Sequence, residues 1–132
     1  SFNPIYGQGM SSAALHASCL SEYLTSGPDL DRPARAFFDL QRVIVDAAWQ
    51  TSAVPDLALP HVGARQTAMT RAGQAYANML IDGTVTDVAL ARKFSDVTFM
   101  RAHPSSLTSP AVAARTLALA AARAVRQRRD RR

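Results

Sequence analysis

Residues 3–28 read NPIYGQGMSSAALHASCLSEYLTSGP, and how this stretch folds decides how the whole chain is read. Pro4, Gly7 and Gly9 crowd a short segment without a charged side chain. The apolar residues Met10, Ala13/Ala14, Ala17, Leu20 and Leu24 then recur at helical spacing up to about Thr25. Gly27-Pro28 stops that run, the glycine as a cap and the proline as a breaker. Glycines at 7 and 9 permit positive φ or a close approach to the backbone. The helix that follows has free N–H groups and a positive dipole end aimed back at the turn, which suits an anion or an electron-rich atom. A tight interhelix turn needs the same residues, so both readings stand.

The rest of the chain continues in helices. Residues 29–54 reopen one, with Asp31 or a neighbour as cap, Pro33 in the first turn, and Phe37, Leu40, Ile44 and Ala47/Ala48 as its apolar face. Pro55 to Gly63 (PDLALPHVG) reads as a surface loop. A third helix is expected from about Arg65 to Ile81, ended by Asp82-Gly83. A fourth is expected from near Thr86, with Val88, Phe94, Val97 and Met100 apolar, and ends before Pro104. HPSSLTSP (103–110) is turn chemistry, and Ser109-Pro110 caps and opens an alanine-rich last helix. No alternating run bounded by turn signals predicts a strand. The fold class is therefore mostly α, about five helices, either a bundle or a helical piece detached from a sheet.

Composition narrows the possibilities further. A chain of 132 residues that is 48% hydrophobic can bury one core and is not a disordered chain. No run reaches the length of a membrane span, and no basic segment precedes an apolar one as in a signal peptide. The single Cys19 makes no internal disulfide, which fits the cytoplasm. The net charge of +5 lies in residues 123–132 (RAVRQRRDRR), where six arginines face only Asp130, so the body is neutral. A phosphate-binding face spreads its charge and interleaves aromatics; this tail has none, and it reads as a solvated helix end rather than a nucleic-acid site.

Most catalytic chemistries find no pattern here. His16, His61 and His103 have no Cys or acidic companions at metal-ligand spacing. No G-x-S-x-G elbow marks a serine nucleophile, and Cys19 within a helix reads as a small buried hydrophobe. Trp49 reads as a core or interface anchor, or as a wall of a substrate pocket. The Gly7-Gln8-Gly9 turn lacks the lysine of a P-loop and the spacing of a dinucleotide fingerprint.

The opening stretch resembles the last sequence motif of the FAD-dependent aromatic-hydroxylase and squalene-epoxidase-like monooxygenases. There, a P-x-x-G-x-G-[LM] turn opens a helix. The matching residues are Pro4, Gly7, Gln8, Gly9, Met10, Ala13, Ala17 and Leu20, with Ser11 and His16 standing where that family usually has Asn and Asp. The stretches 46–56, 59–65, 76–80 and 94–110 resemble, more loosely, the helical C-terminal region of bacterial members. The resemblance implies that the backbone of Gly9, Met10 and Ser11 meets the pyrimidine edge of the flavin, where the reduced ring carries negative charge. It implies that Pro4 and Gly7 shape the turn and that Gln8 sits at its edge.

The family's α/β Rossmann-like half, with its G-x-G-x-x-G, is not in this sequence, and the chain opens at Ser1 inside its own motif. The expectation is a C-terminal segment that lacks its N-terminal FAD-binding portion: 1–12 as flavin-edge turn and helix start, 13–122 as helical region, 123–132 as basic tail. The complete protein would use FAD, NAD(P)H and O₂ to oxygenate an apolar or aromatic substrate, and the segment alone would be inactive. The alternative is a freestanding helical interaction module with a basic tail.

Overall fold

The computed structural model describes residues 4–57, 59–63, 65 and 67–130. Five α-helices carry the chain: α1 (Gly9–Thr25), α2 (Arg35–Leu57), α3 (Ala68–Thr84), α4 (Val88–Thr98) and α5 (Pro110–Asp130). Short 3-10 turns lie at Pro4–Tyr6, Pro60–Val62 and Pro104–Thr108, and no strand occurs among the described residues. Helix α1 packs along α2, while α3, α4 and α5 pack together. The Pro104–Thr108 turn lies against α4 and α5 and reaches α2, so it links the two groups.

The core belongs to the second group. Leu80 of α3, Leu90 of α4 and Val112 of α5 are buried together, with Phe94, Leu107 and Leu119 packed on them. Each helix offers one stripe at i, i+4, i+7: Tyr76, Leu80 and Gly83 on α3, Leu90, Phe94 and Val97 on α4, Val112, Thr116 and Leu119 on α5. Val88 is six residues from Phe94, off that stripe, and is accordingly 69% exposed rather than part of the expected apolar face. Gly83 was expected to end α3, but the helix continues to Thr84. A Cβ at Gly83 would sit 2.8 Å from Leu90 Cδ1, so the glycine lets α4 approach α3.

The helix ends are specified by short polar side chains. Thr67 caps α3, its Oγ1 accepting from the Thr70 N–H at 3.1 Å. The Asp87 side chain accepts the Leu90 N–H at 3.0 Å and is clamped by Arg115, whose Nε and Nη2 both lie 2.8 Å from Oδ2. The Leu90 N–H, and after it Arg115, hold the Asp87 carboxyl below its ordinary pKa, against desolvation that acts the other way.

In the first group the expectations need more correction. The α1 stripe Met10, Leu20, Leu24 faces outward; Ser12 and Tyr23 are the buried residues, with Cys19 and His16 half-buried. Tyr23 stacks obliquely on Phe37 of α2, ring centroids 5.7 Å apart. Pro33 precedes α2, which opens at Arg35, and the helix continues through Pro55 to Leu57 where a loop was expected. Proline costs about 3 kcal/mol inside a helix, largely through the hydrogen bond it removes. Here it falls in the last turn, which is held from outside by Tyr6, whose Oη donates to Asp56 Oδ1 at 2.7 Å.

Candidate functional site

The residues singled out at the opening turn form one continuous surface feature. Pro4 begins the 3-10 turn, and Gly7 has φ +66°, a left-handed conformation that favours glycine. Gly9 is the first residue of α1. Cβ atoms built at Gly7 or Gly9 would meet nothing within 4 Å, so the space beside this backbone is open. Gln8, at the cap position, gives no side-chain bond to the N–H groups of the first turn, and the Ser12 N–H is the one that returns to the Gln8 carbonyl, at 2.9 Å. The N–H groups of Gly9, Met10 and Ser11 therefore lack partners within the helix. Met10 is 88% exposed beside them, and Ser11 is half-buried.

Gln8 differs from its two neighbours. Its side chain is 3% exposed and points inward, its amide Oε1 lying 2.9 Å from Thr51 Oγ1 on α2. The Thr51 hydroxyl also lies 3.1 Å and 3.0 Å from the carbonyls of Ala47 and Ala48. The turn is thus pinned to α2 twice, by Gln8 through Thr51 and by Tyr6 through Asp56. The bond to Asp56 raises the Tyr6 pKa above the ordinary tyrosine value, because ionising the phenol would break it beside a carboxylate.

On its inner side, Gln8 forms part of a cleft of about 210 Å³ between the two helix groups. Leu15, Val43, Ile44 and Ala47 come from α1 and α2, and Val97 and residues 100–104 come from the end of α4 and the turn after it. Met100 was expected on the apolar face of α4. It lies instead past the helix end, with φ +56°. The Arg101 and Ala102 N–H groups return to the Asp96 carbonyl at 2.7 Å and 3.1 Å, and Met100 N–H to Val97. This is the reversal that ends many helices, usually with glycine at the left-handed position. A side chain there costs roughly 1–2 kcal/mol. Nothing in the local sequence announces it, because the residue that would signal the turn is a methionine.

A larger shallow cleft of about 500 Å³ lies beside the start of α4, from Thr84 to Arg101. Of its charged groups, Asp87 caps α4 and pairs with Arg115, Asp96 pairs with Arg101 at 2.9 Å, and Arg92 also lines it. His103 accepts the Ser105 N–H through Nδ1 and caps the last 3-10 turn; His61 is exposed. No group of three or more His, Cys, Asp or Glu among the described residues is arranged to hold a metal ion. Trp49 is 67% exposed and lines neither cleft. No described helix is long and apolar enough to cross a membrane. Comparison with protein families, with curated proteins and with solved structures finds no match for this chain.

Proposed function

We propose that this chain is the C-terminal, mostly helical segment of an FAD-dependent oxidoreductase, a monooxygenase using NAD(P)H and O₂ on an apolar or aromatic substrate. The observation that carries the reading is the opening turn: left-handed Gly7, open space beside Gly7 and Gly9, and a helix start with no side-chain cap on its first N–H groups. A planar, electron-rich ring edge fits such a place, since no side chain blocks it and the positive helix end favours negative charge. The backbone N–H groups of Gly9, Met10 and Ser11 would hold the flavin edge, with Pro4 and Gly7 setting the turn. Gln8, held inward by Thr51, would keep that turn rigid rather than touch the ring. Bound FAD would supply the redox chemistry.

A second observation agrees. Ile5, Met10, Phe38 and Trp49 remain exposed around α1 and α2, an apolar surface of the sort a neighbouring domain covers. The N-terminal FAD-binding portion would be that neighbour and would grip the remainder of the cofactor. A freestanding helical interaction module is the second reading. It is favoured by α5, which stays helical through Arg126, Arg128 and Arg129 and so presents a formed basic surface.

The reading frame upstream of Ser1 tests the first reading directly. A Gly-Asp pair just before Ser1 and a G-x-G-x-x-G after a strand further upstream are expected. Co-expressed with that portion, the chain should retain FAD, and Gly9→Val should weaken retention at least several-fold. A start codon in place of the Gly-Asp pair, or retention unchanged in Gly9→Val, would overturn it.

A further inference from the structure

Met10 and Met69 hold the same place in different helices. Each is the second residue of its helix, α1 and α3, and each is almost fully exposed, at 88% and 81%. Met79 and Met100 are half-buried. The two helix starts differ, however. In α3, Thr67 Oγ1 accepts the Thr70 N–H at 3.1 Å, and Thr70 Oγ1 returns to the Thr67 carbonyl at 2.9 Å, so the first turn closes on itself. In α1 the cap residue is Gln8, whose side chain is engaged with Thr51 and gives no bond to the first turn. No acidic side chain lies in that turn either, and a Cβ built at Gly9 would meet nothing within 4 Å. The thioether of Met10 thus stands beside unpartnered N–H groups with room around it.

We propose that Met10 is a site of reversible oxidation by peroxides and that its sulfoxide caps α1. Exposure governs the first half, since an accessible thioether is oxidised before a buried one. The sulfur lone pair attacks one oxygen of the peroxide, and the O–O bond breaks. The other oxygen leaves as hydroxide and takes the proton of the transferred oxygen, giving water, so sulfur is oxidised as the peroxide is reduced. Geometry governs the second half. Helix side chains lean toward the N-terminal end, which carries the Met10 sulfur back over the first turn. A sulfoxide oxygen lies as many bonds from Cβ as the carboxylate oxygen of glutamate, which serves as an acceptor at helix starts. It also carries negative partial charge, favoured at the positive end of the helix. Reduced Met10 leaves the N–H groups of Gly9, Met10 and Ser11 to an outside acceptor; oxidised Met10 takes them for itself. Methionine sulfoxide reductases restore the thioether. The inference stands apart from the flavin reading; on that reading, oxidation would withdraw the N–H groups from the cofactor.

Met69 is the internal control. The 132-residue chain, with Cys19→Ser so that thiol oxidation on α1 does not enter the readout, is treated with dilute hydrogen peroxide. Sulfoxide at each of the four methionines is followed by peptide mass spectrometry. Met10 and Met69 should oxidise at least about fivefold faster than Met79 and Met100. Amide hydrogen exchange reads the cap: at the start of α1 it should slow at least about threefold once Met10 is oxidised. The start of α3, already closed by Thr67 and Thr70, should change less although Met69 is oxidised too. Met10→Gln, with an amide oxygen of the same reach, should slow the exchange without peroxide. Met10→Leu should leave it indifferent to peroxide, and treatment with methionine sulfoxide reductase should reverse the slowing. The proposal is overturned if Met10 oxidises no faster than Met79, if exchange at the start of α1 is unchanged by oxidation, or if Met10→Leu shows the same slowing.

Discussion

The helices α3, α4 and α5 enclose a core, whereas α1 and α2 are joined at points. Among α3, α4 and α5 three side chains from three helices are buried against each other, and the closest approach is permitted by the missing Cβ of Gly83. Between α1 and α2 the buried positions are few and include Gln8 and Ser12, and the association rests on Tyr23 against Phe37 and on two polar links to α2. Apolar burial is non-directional and grows with area, while a polar link is worth little net but fixes geometry. One half of the molecule is thus built for stability and the other for the shape of a turn. Amide hydrogen exchange should register the contrast, with slow exchange concentrated in α3–α5.

The contrast can be broken most severely at Leu90. Leu90→Ala should cost about 2–5 kcal/mol, a transfer penalty plus a cavity, seen as a large fall in the urea midpoint. Gly83→Val comes next, at about 1–3 kcal/mol, because its side chain would enter the space held by Leu90; near-wild-type stability there would mean that α4 sits off α3 in solution. Acid sharpens the same half. The Asp87 carboxyl titrates below its ordinary value in the fold, so its contribution is present above the unfolded carboxylate pKa and disappears as pH falls through the folded one. Circular dichroism should therefore show acid unfolding below about pH 4, and Asp87→Asn should flatten that transition.

In the other half the expected effects are smaller. Tyr6→Phe removes the bond to Asp56 and should cost about 0.5–1.5 kcal/mol, with faster exchange confined to the start of α1 and the end of α2. The Tyr6 pKa is raised in the fold, so this link is present below the unfolded value and is lost as pH rises through the folded one, above about pH 10. Trp49→Gln should change stability by less than about 0.5 kcal/mol, as for an exposed site. A large loss at Trp49 would show that α2 is covered in solution.

Legibility in the sequence follows the same division. Helix number, the Gly27-Pro28 stop and the Ser109-Pro110 start could be read because each depends on local chemistry. Ser109 indeed begins the last helix, the Ala113 N–H returning to its carbonyl at 2.9 Å. The α4 face was misread because Val88 and Met100 are apolar but off the stripe set by Leu90, and spacing outweighs hydrophobicity when three helices meet. The α1 face was misread because Ser12 and His16 lie toward the interior although their polarity argues against it; Ser12 Oγ and His16 Nδ1 are buried without partners. The turn was visible from its glycines. The cleft was not, since Gln8 and Met100 are 92 residues apart by number and neither is marked by its neighbours.

Arg123 still reaches the body, pairing with Asp82 at 3.1 Å, but residues 124–129 are exposed and the helix runs through Asp130. At about 1.5 Å per residue, Arg129 lies roughly 9 Å farther along the axis, comparable with the distance of about 8 Å over which physiological salt extinguishes a field. The neutral body and its cationic tip are therefore partly screened from each other. The charge sits at one end of the chain, so an anionic surface attracts the Arg126–Arg129 end of α5 more than the neutral body.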